Sequence, residues 1–275
     1  KYLNFYSEKS EITTINKHSG KNPVSVTPVT FKLLNKAINI SKLSEGAFDI
    51  TLGVISRLYD FANKKHPSKA EIERLLPLVG YRNITLQPKL RVVYLSKAGM
   101  MIDPGGITKG YAADLAVMAL KKQGIKAALV AIAGDIKGYG LKPDGRPWLV
   151  GIRDPRSKNR DEIFATVELK DLAISTSGDY ERFFIENGVR YHHILDPKTG
   201  LPASGVISVT VIGPDATYTD ALATAIFVKG VKQGLKLAKK AGYKAIIVDK
   251  NGKIHKSTGL SDGITFLKEN IEVVD

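Results

Sequence analysis

Apolar positions along this chain recur at two spacings, one helical and one extended. Between residues 28 and 45, Phe31, Leu34, Ile38 and Leu43 fall near the 3.6-residue period of a helix, and the run stops before Gly46. Residues 68–76 (SKAEIERLL) open on Ser68, a capping residue type, and carry one apolar face, which predicts a second helix. A third is predicted from Thr108 to Gly124, with Tyr111, Leu115, Met118 and Ala119 on one side. Two more are predicted over Asp220 to Val228 and Val231 to Ala241. Alternating or short continuous apolar runs predict strands at 127–133, 148–152, 163–169, 206–212 and 244–249. Ile84, Leu86, Val92–Leu95 and Met100–Ile102 predict short antiparallel strands before them, and Asn251-Gly252 is a strong hairpin signal. Helices and strands mixed in this way imply an α+β fold rather than a regular βαβ alternation. The stretch 154–162 (DPRSKNRDE) is the one loop polar enough for a surface excursion or a soft boundary.

Composition narrows the class. A hydrophobic content of 43% over 275 residues suits a globular protein with a sizeable core. The longest apolar stretch, Ala127 to Ala133, has the length of a buried strand and is far short of the roughly 18–20 residues that span a bilayer. The chain opens on Lys1-Tyr2-Leu3 without an initiator Met and reads as a mature or trimmed form. With no cysteine, disulfides, thiolate metal sites and a cysteine nucleophile are excluded. Its 41 basic and 27 acidic residues give a net charge of +14, which fits a phosphorylated ligand, an anionic surface or a merely solvated exterior. Nucleic acid is not an expected partner, because no basic run is interleaved with aromatics and no helix-turn-helix or finger spacing occurs.

Four constellations could carry chemistry. Gly46-Ala47-Phe48-Asp49-Ile50-Thr51 could let backbone approach a flat ligand, or could be a helix stop leading into a strand. Ile102-Asp103-Pro104-Gly105-Gly106-Ile107-Thr108-Lys109 places two glycines before a helix, where bare N–H groups and the helix dipole favour an anion. A tight turn with glycines serving sterics alone would look the same, and the spacing matches neither a Walker loop nor a dinucleotide fingerprint. Asp220 and Thr224, at i and i+4, share a helix face and suit an oxygen-seeking cation such as Mg²⁺, or form a cap. His192 and His193 sit beside a loop rich in turn residues, Asp196-Pro197-Lys198-Thr199-Gly200. Adjacent histidines in a strand face opposite ways, so a shared zinc is disfavoured; a proton acceptor or a structural pair remains.

The order of these motifs carries more than any of them singly. The chain resembles the ApbE flavin-transferase family through YSEKSEITTIN (6–16), EGAFDITLG (45–53), IDPGGITKGYAAD (102–114) and AGDIKGYG (133–140). The resemblance continues through WLVGIRDP (148–155), STSGDYERFF (175–184), HHILDPKTGLP (192–202) and SVTVIGPDATYTDALATAIFVKG (208–230). It implies a T-fold-like α+β architecture of two related halves, with a mixed, mostly antiparallel sheet and a shared FAD cleft. All of 1–275 would be one such domain, lacking the family's N-terminal strand with its Met-Gly-Thr and any signal or lipid-attachment segment.

The implied activity is Mg²⁺-dependent transfer of FMN from FAD to a threonine of an acceptor flavoprotein, with release of AMP. Carried over residue by residue, FAD would meet Tyr6, Ala47, Phe48, Asp49, Asp103, Lys109 and Leu195. The metal would be held at Gly106, through its carbonyl, and by Asp220 and Thr224, with Ala223 standing where some members carry an acid. His193 is the expected general base, sharing a strand face with Leu195. Ala133 departs from the family's Gly-Gly-Asp. The family's setting implies a periplasmic lipoprotein at the inner membrane, with acceptors in sodium-pumping or electron-transport complexes. An FAD pyrophosphatase and a non-catalytic flavin-binding lipoprotein are the alternatives.

Overall fold

A computed structural model describes residues 2–260, 263–267 and 273–274. In chain order the elements are α1 (Glu11–Lys17), β1 (Val24–Ser25), α2 (Pro28–Leu43), α3 (Gly53–Ser56), α4 (Lys69–Leu75), β2 (Ile84–Gln87), β3 (Val92–Leu95) and α5 (Thr108–Lys122). There follow β4 (Ala128–Ile132), β5 (Asp135–Tyr139), β6 (Trp148–Arg153), β7 (Ile163–Leu169), β8 (Ala173–Gly178), β9 (Phe183–Glu186) and β10 (Val189–His192). The chain continues through β11 (Val206–Gly213), α6 (Ala216–Ala241), β12 (Lys244–Asp249), β13 (Ile254–Lys256), β14 (Ile264–Phe266) and β15 (Val273–Val274). The fold is α+β: β13 and β15 pair in parallel, and the other described strand pairs are antiparallel.

The chain divides into two compact units. One comprises Lys1–Thr108 with Glu181–Ala203, the other Lys109–Tyr180 with Ser204–Asp275. In the first, Ser10, Thr27 and Ser68 cap α1, α2 and α4, and Ser68 forms a full capping box with Glu71. A three-stranded sheet ordered β1-β3-β2 and the β9–β10 hairpin complete this unit, and Val54, Ile55, Tyr59, Ile72 and Leu195 form a core cluster within it.

The second unit is layered. Its seven-stranded sheet runs β15-β13-β12-β11-β8-β5-β4. All eight residues of β11 are buried, as a central strand covered on both faces requires. One face packs through Ile174, Ile212, Ile246 and Val248 against Val150, Ile152, Phe164 and Val167 of the β6–β7 sheet. Ile247, one residue out of phase, turns to α6, where an added Cβ on Gly234 would lie 3.4 Å from it.

Several expectations are revised. The two late helices form one element, α6, interrupted at Gly230, whose φ of 72° and ψ of −175° leave the helical region; this is why the sequence pattern breaks there. Its N-cap is Asp215, which places Asp220 in the second turn rather than at the start. Met118 and Ala119 of α5 are exposed, and the buried face is Gly110, Tyr111, Ala113, Asp114 and Val117. Met100–Ile102 forms no strand and makes an isolated parallel bridge between Met101 and Leu52. The polar stretch 154–162 closes a hairpin, Asp154 N–H donating to the Glu162 carbonyl at 2.8 Å, and is not a boundary between the units.

Candidate functional site

Within the second unit, α5 and α6 cap each other. The Gly110 N–H, in the first turn of α5, donates to Asp220 Oδ2 on α6 at 3.0 Å. In return Asp114 on α5 accepts from the Ala216 and Thr217 N–H groups that begin α6, at 3.1 and 2.9 Å, and from Thr217 Oγ1 at 2.5 Å. Each carboxylate thus meets the positive end of the other helix and satisfies N–H groups that a helix leaves open. The contact demands glycine at 110, because a Cβ there would lie 2.0 Å from the Ala216 carbonyl oxygen.

Two lysines cross-link these caps to β5. Lys109 Nζ bonds Asp135 and lies 3.2 Å from Asp220 Oδ1, while Lys137 Nζ lies 2.5 Å from Asp114 Oδ1. Asp135 and Lys137, two apart on β5, share one face of the strand. Burial lifts the Asp220 carboxyl to about 6; Lys109 works against that rise and nearby Asp135 adds to it. Burial also disfavours the Lys109 ammonium, but Asp220 and Asp135 outweigh it and raise its proton affinity. Burial likewise opposes ionisation of Asp114, yet bonds from Lys137 and Thr217 hold its carboxyl below the usual range. A row of hydroxyls adjoins, with Ser175 2.8 Å from Thr219 and Ser177 3.2 Å from Thr224, alternate residues of β8 facing α6.

The anion site expected at this helix start is therefore already furnished with a carboxylate, and Lys109 points at two carboxylates. The cap reading of Asp220 holds in altered form, because it caps α5 and not its own helix. Ala223 is buried and its methyl offers no oxygen. Among the described residues no three His, Asp or Glu side chains cluster as a metal-ligand group. The donor chemistry nevertheless fits a hard cation. Asp220 and Asp135 share the Lys109 ammonium, leaving one net negative charge one helical turn from Thr224, and burial makes that charge costly until a cation arrives.

The first unit holds Tyr6, Ala47, Phe48, Asp49, Asp103, Gly106, His193 and Leu195. The 45–51 segment stops α2 as expected, through Glu45 and Gly46 at φ of 58° and 83°, but leads into α3 and not a strand. Asp49 accepts from Thr51 N–H and Oγ1 at 2.9 and 2.6 Å and from Tyr81 N–H at 2.7 Å. Burial still raises its carboxyl, the hydrogen bonds opposing. Asp103 donates its N–H to the Ile50 carbonyl at 2.7 Å, tying the glycine turn to this segment. Its carboxylate accepts from Gly105 N–H and Ser56 Oγ at 2.9 and 3.2 Å, and burial raises it too.

Tyr6 is 75% exposed, whereas Ala47, Phe48 and Leu195 are packed inside. Tyr6 and Phe5 line a pocket of about 580 Å³ with Asn16, Arg57, Arg74 and Met101. His192 ends β10 with Nε2 2.9 Å from the Ala203 carbonyl, while its Nδ1 accepts from Ile194 N–H at 3.3 Å. That pair of bonds fixes the tautomer and makes His192 structural. His193 is half-buried and donates its N–H to the Arg182 carbonyl at 3.1 Å. Because β10 stops at His192, strand periodicity no longer licenses a common face for His193 and Leu195. Leu195 makes only an isolated bridge to Pro202, and its side chain sits in the cluster with Val54, Ile55, Tyr59 and Ile72.

The sequence model of the ApbE family matches residues 1–247. The chain belongs to the ApbE family. It is 35% identical to the FAD:protein FMN transferase of Treponema pallidum, covering 94% of this chain and 76% of that protein. It is 34% identical to the enzyme of the same name from Vibrio cholerae, covering 86% and 71%. Among solved structures, the ApbE protein of Thermotoga maritima superposes with a TM-score of 0.85 at 40% identity, covering 93% of this chain and 84% of that one. The Vibrio cholerae flavin transferase ApbE gives 0.84 at 30% identity, covering 96% and 85%.

Asp114, Asp135, Lys137 and Ser177 were given no role by sequence reasoning, although each lies inside or beside a family block. The available signal was a carboxylate on an otherwise buried face: Asp114 follows Tyr111 and Ala113 on the covered side of α5, and Asp135 is 1% exposed.

Proposed function

We propose that this chain moves FMN from FAD to a threonine hydroxyl of an acceptor flavoprotein, releasing AMP, with Mg²⁺ as its cation. The observation that carries the reading is the buried Asp220 carboxylate, held beside Asp135 and one ammonium at the meeting of two helix N-termini. In the reaction the acceptor Oγ forms a bond to the flavin-side phosphorus. The bond from that phosphorus to the bridging oxygen breaks, and AMP leaves with the electron pair. The acceptor's proton passes to an imidazole nitrogen of His193.

Asp220 and Thr224 would hold Mg²⁺, which would supply charge neutralisation on the pyrophosphate oxygens. Lys109 keeps a positive charge at the same carboxylate pair. Asp103 and Asp49 keep the glycine turn and the Ala47–Phe48 segment in register, through the Ile50 carbonyl and the Tyr81 N–H. Tyr6 offers a flat solvent-facing ring beside Arg57 and Arg74, suited to part of an anionic aromatic ligand.

The acceptors we propose are subunits of sodium-pumping or electron-transport complexes, and the setting is periplasmic with a lipid tether. No described helix is long and apolar enough to cross a membrane. The test is mass spectrometry of a candidate acceptor domain after incubation with the protein, FAD and Mg²⁺. A threonine gaining FMN in phosphoester linkage supports the proposal. Free FMN and AMP with an unlabelled acceptor would replace it with FAD hydrolysis.

A further inference from the structure

The Asp220 carboxylate does not face its site alone. Lys109 Nζ lies 3.2 Å from Asp220 Oδ1 and makes the closer of its two contacts with Asp135. Asp135 is 1% exposed and opens β5. The Lys109 head is more accessible, its side chain being 38% exposed. A cation approaching Asp220 therefore meets an ammonium already there, and the position of that ammonium depends on Asp135.

We propose that Asp135 is a positioning residue that takes the closer contact of the Lys109 ammonium and so weakens its hold on Asp220 Oδ1, the oxygen a divalent cation would need. Geometry and charge carry the inference together. Asp135, Asp220 and Lys109 sum to one negative charge, so the trio attracts a dication; with Asp135 neutral the sum is zero. Lys109 then has a single carboxylate partner, Asp220, and competes for the oxygen the cation needs. Both effects weaken cation binding. Asp220 Oδ2 is held independently by the Gly110 N–H, so the carboxylate's orientation does not depend on Asp135. The hydroxyl at Thr224 is placed separately, through Ser177.

The inference rests on the Mg²⁺ reading, and the experiment separates the two. Mg²⁺ binding is measured by calorimetry on protein without FAD, for wild type, Asp135→Asn, Asp135→Glu, Lys109→Met and the double variant Asp135→Asn/Lys109→Met. The expected result is a dissociation constant raised about tenfold or more in Asp135→Asn, with a smaller rise in Asp135→Glu, which keeps the charge. In the double variant the competing ammonium is gone, and affinity recovers toward wild type, a non-additive cycle. Asp135→Asn should likewise raise the Mg²⁺ concentration for half-maximal transfer while leaving the rate at saturating Mg²⁺ within a few-fold.

A purely structural Asp135 would lower the melting temperature and leave the Mg²⁺ constant unchanged, which overturns the proposal. Additive effects in the double variant overturn it as well. Should Asp135→Asn not fold, Asp135→Glu and Lys109→Met decide: unchanged Mg²⁺ affinity in both refutes the inference. Wild-type protein that binds no Mg²⁺ sinks the metal reading first, and this inference with it.

Discussion

Removing the carboxylate of Asp114 is the most direct perturbation of the second unit. Asp114→Ala deletes the acceptor of two helix N–H groups, at 3.1 and 2.9 Å, of the Thr217 hydroxyl at 2.5 Å and of the Lys137 ammonium at 2.5 Å. Lys137 then retains the Pro214 carbonyl, at 3.0 Å, but no longer meets the Asp114 charge. Its side chain is 16% exposed, so water replaces the lost partner poorly. Breaking a buried pair on one side costs about 3–5 kcal/mol, and losing an N-cap costs about 0.5–2 kcal/mol. The two overlap and some solvent reaches the site, so a loss of about 3–4 kcal/mol is expected, or roughly a 10 °C fall in melting temperature. Asp114→Asn, which keeps shape and loses charge, should lose about half as much. The measurement is calorimetric and denaturant unfolding of both variants across pH. The folded carboxyl lies below its unfolded value, so its stabilisation is full above the unfolded pKa of roughly 3.9 and disappears as pH falls through the folded value. The gap between wild type and Asp114→Ala must therefore be wide at pH 7, begin to narrow below about pH 3.9 and shrink further as pH falls toward the folded value. A gap under about 1 kcal/mol at neutral pH, or one as wide at pH 3 as at pH 7, would refute the reasoning.

Three further outcomes are expected. Gly110→Ala, whose Cβ would sit 2.0 Å from the Ala216 oxygen, should cost about 1–3 kcal/mol despite alanine's better helix propensity, and should slow FMN transfer by pushing Asp220 away; melting and transfer assays check both. Ala133→Gly should gain about 0.5–1 kcal/mol, because Ala133 holds φ at 46° beside Gly134 in the tight β4–β5 turn; an unchanged melting curve would contradict this. His192→Ala should lose about 1–3 kcal/mol of stability and keep most of its activity per folded molecule, whereas His193→Ala should keep its stability and lose about 10²–10⁴-fold in transfer rate. Equal rate losses in the two would move the proton-accepting role elsewhere, with Asp49 first to test.

Elements whose stability is written into a local pattern were legible in the sequence. The strands 163–169 and 244–249 match β7 and β12 to the residue, because both alternate or run apolar over a full strand length. The helix at 68–76 announced itself through Ser68 at its start and its apolar face, and in the structure Ser68 caps it. What stayed hidden was set by partners far along the chain. β5 is glycine-bearing and polar, and becomes a strand because β8 and β4 flank it. The buried face of α5 is built from Gly110, Ala113 and Asp114, residues that fit against the start of α6, so apolar periodicity selected Met118 and Ala119 wrongly. The candidate site followed the same rule. Lys109, Asp220 and Thr224 could be named from spacing and resemblance, while Asp114 and Asp135 acquire meaning only once two helix ends and β5 are brought together.

The mutual capping of α5 and α6 also dictates when the second unit can exist. Its bonds join residues 103 and 110 positions apart, and β11, the strand covered on both faces, lies between β8 and β12. A nascent chain that has reached only Tyr180 has α5 without its cap and β8 paired with β5 but not with β11. The unit cannot close until β11, α6 and β12 have left the ribosome. Long-range closure of this kind makes folding slow relative to synthesis of local helices. A chain cut before β11 would expose an unpaired β8 edge, leaving it prone to pair with another such edge.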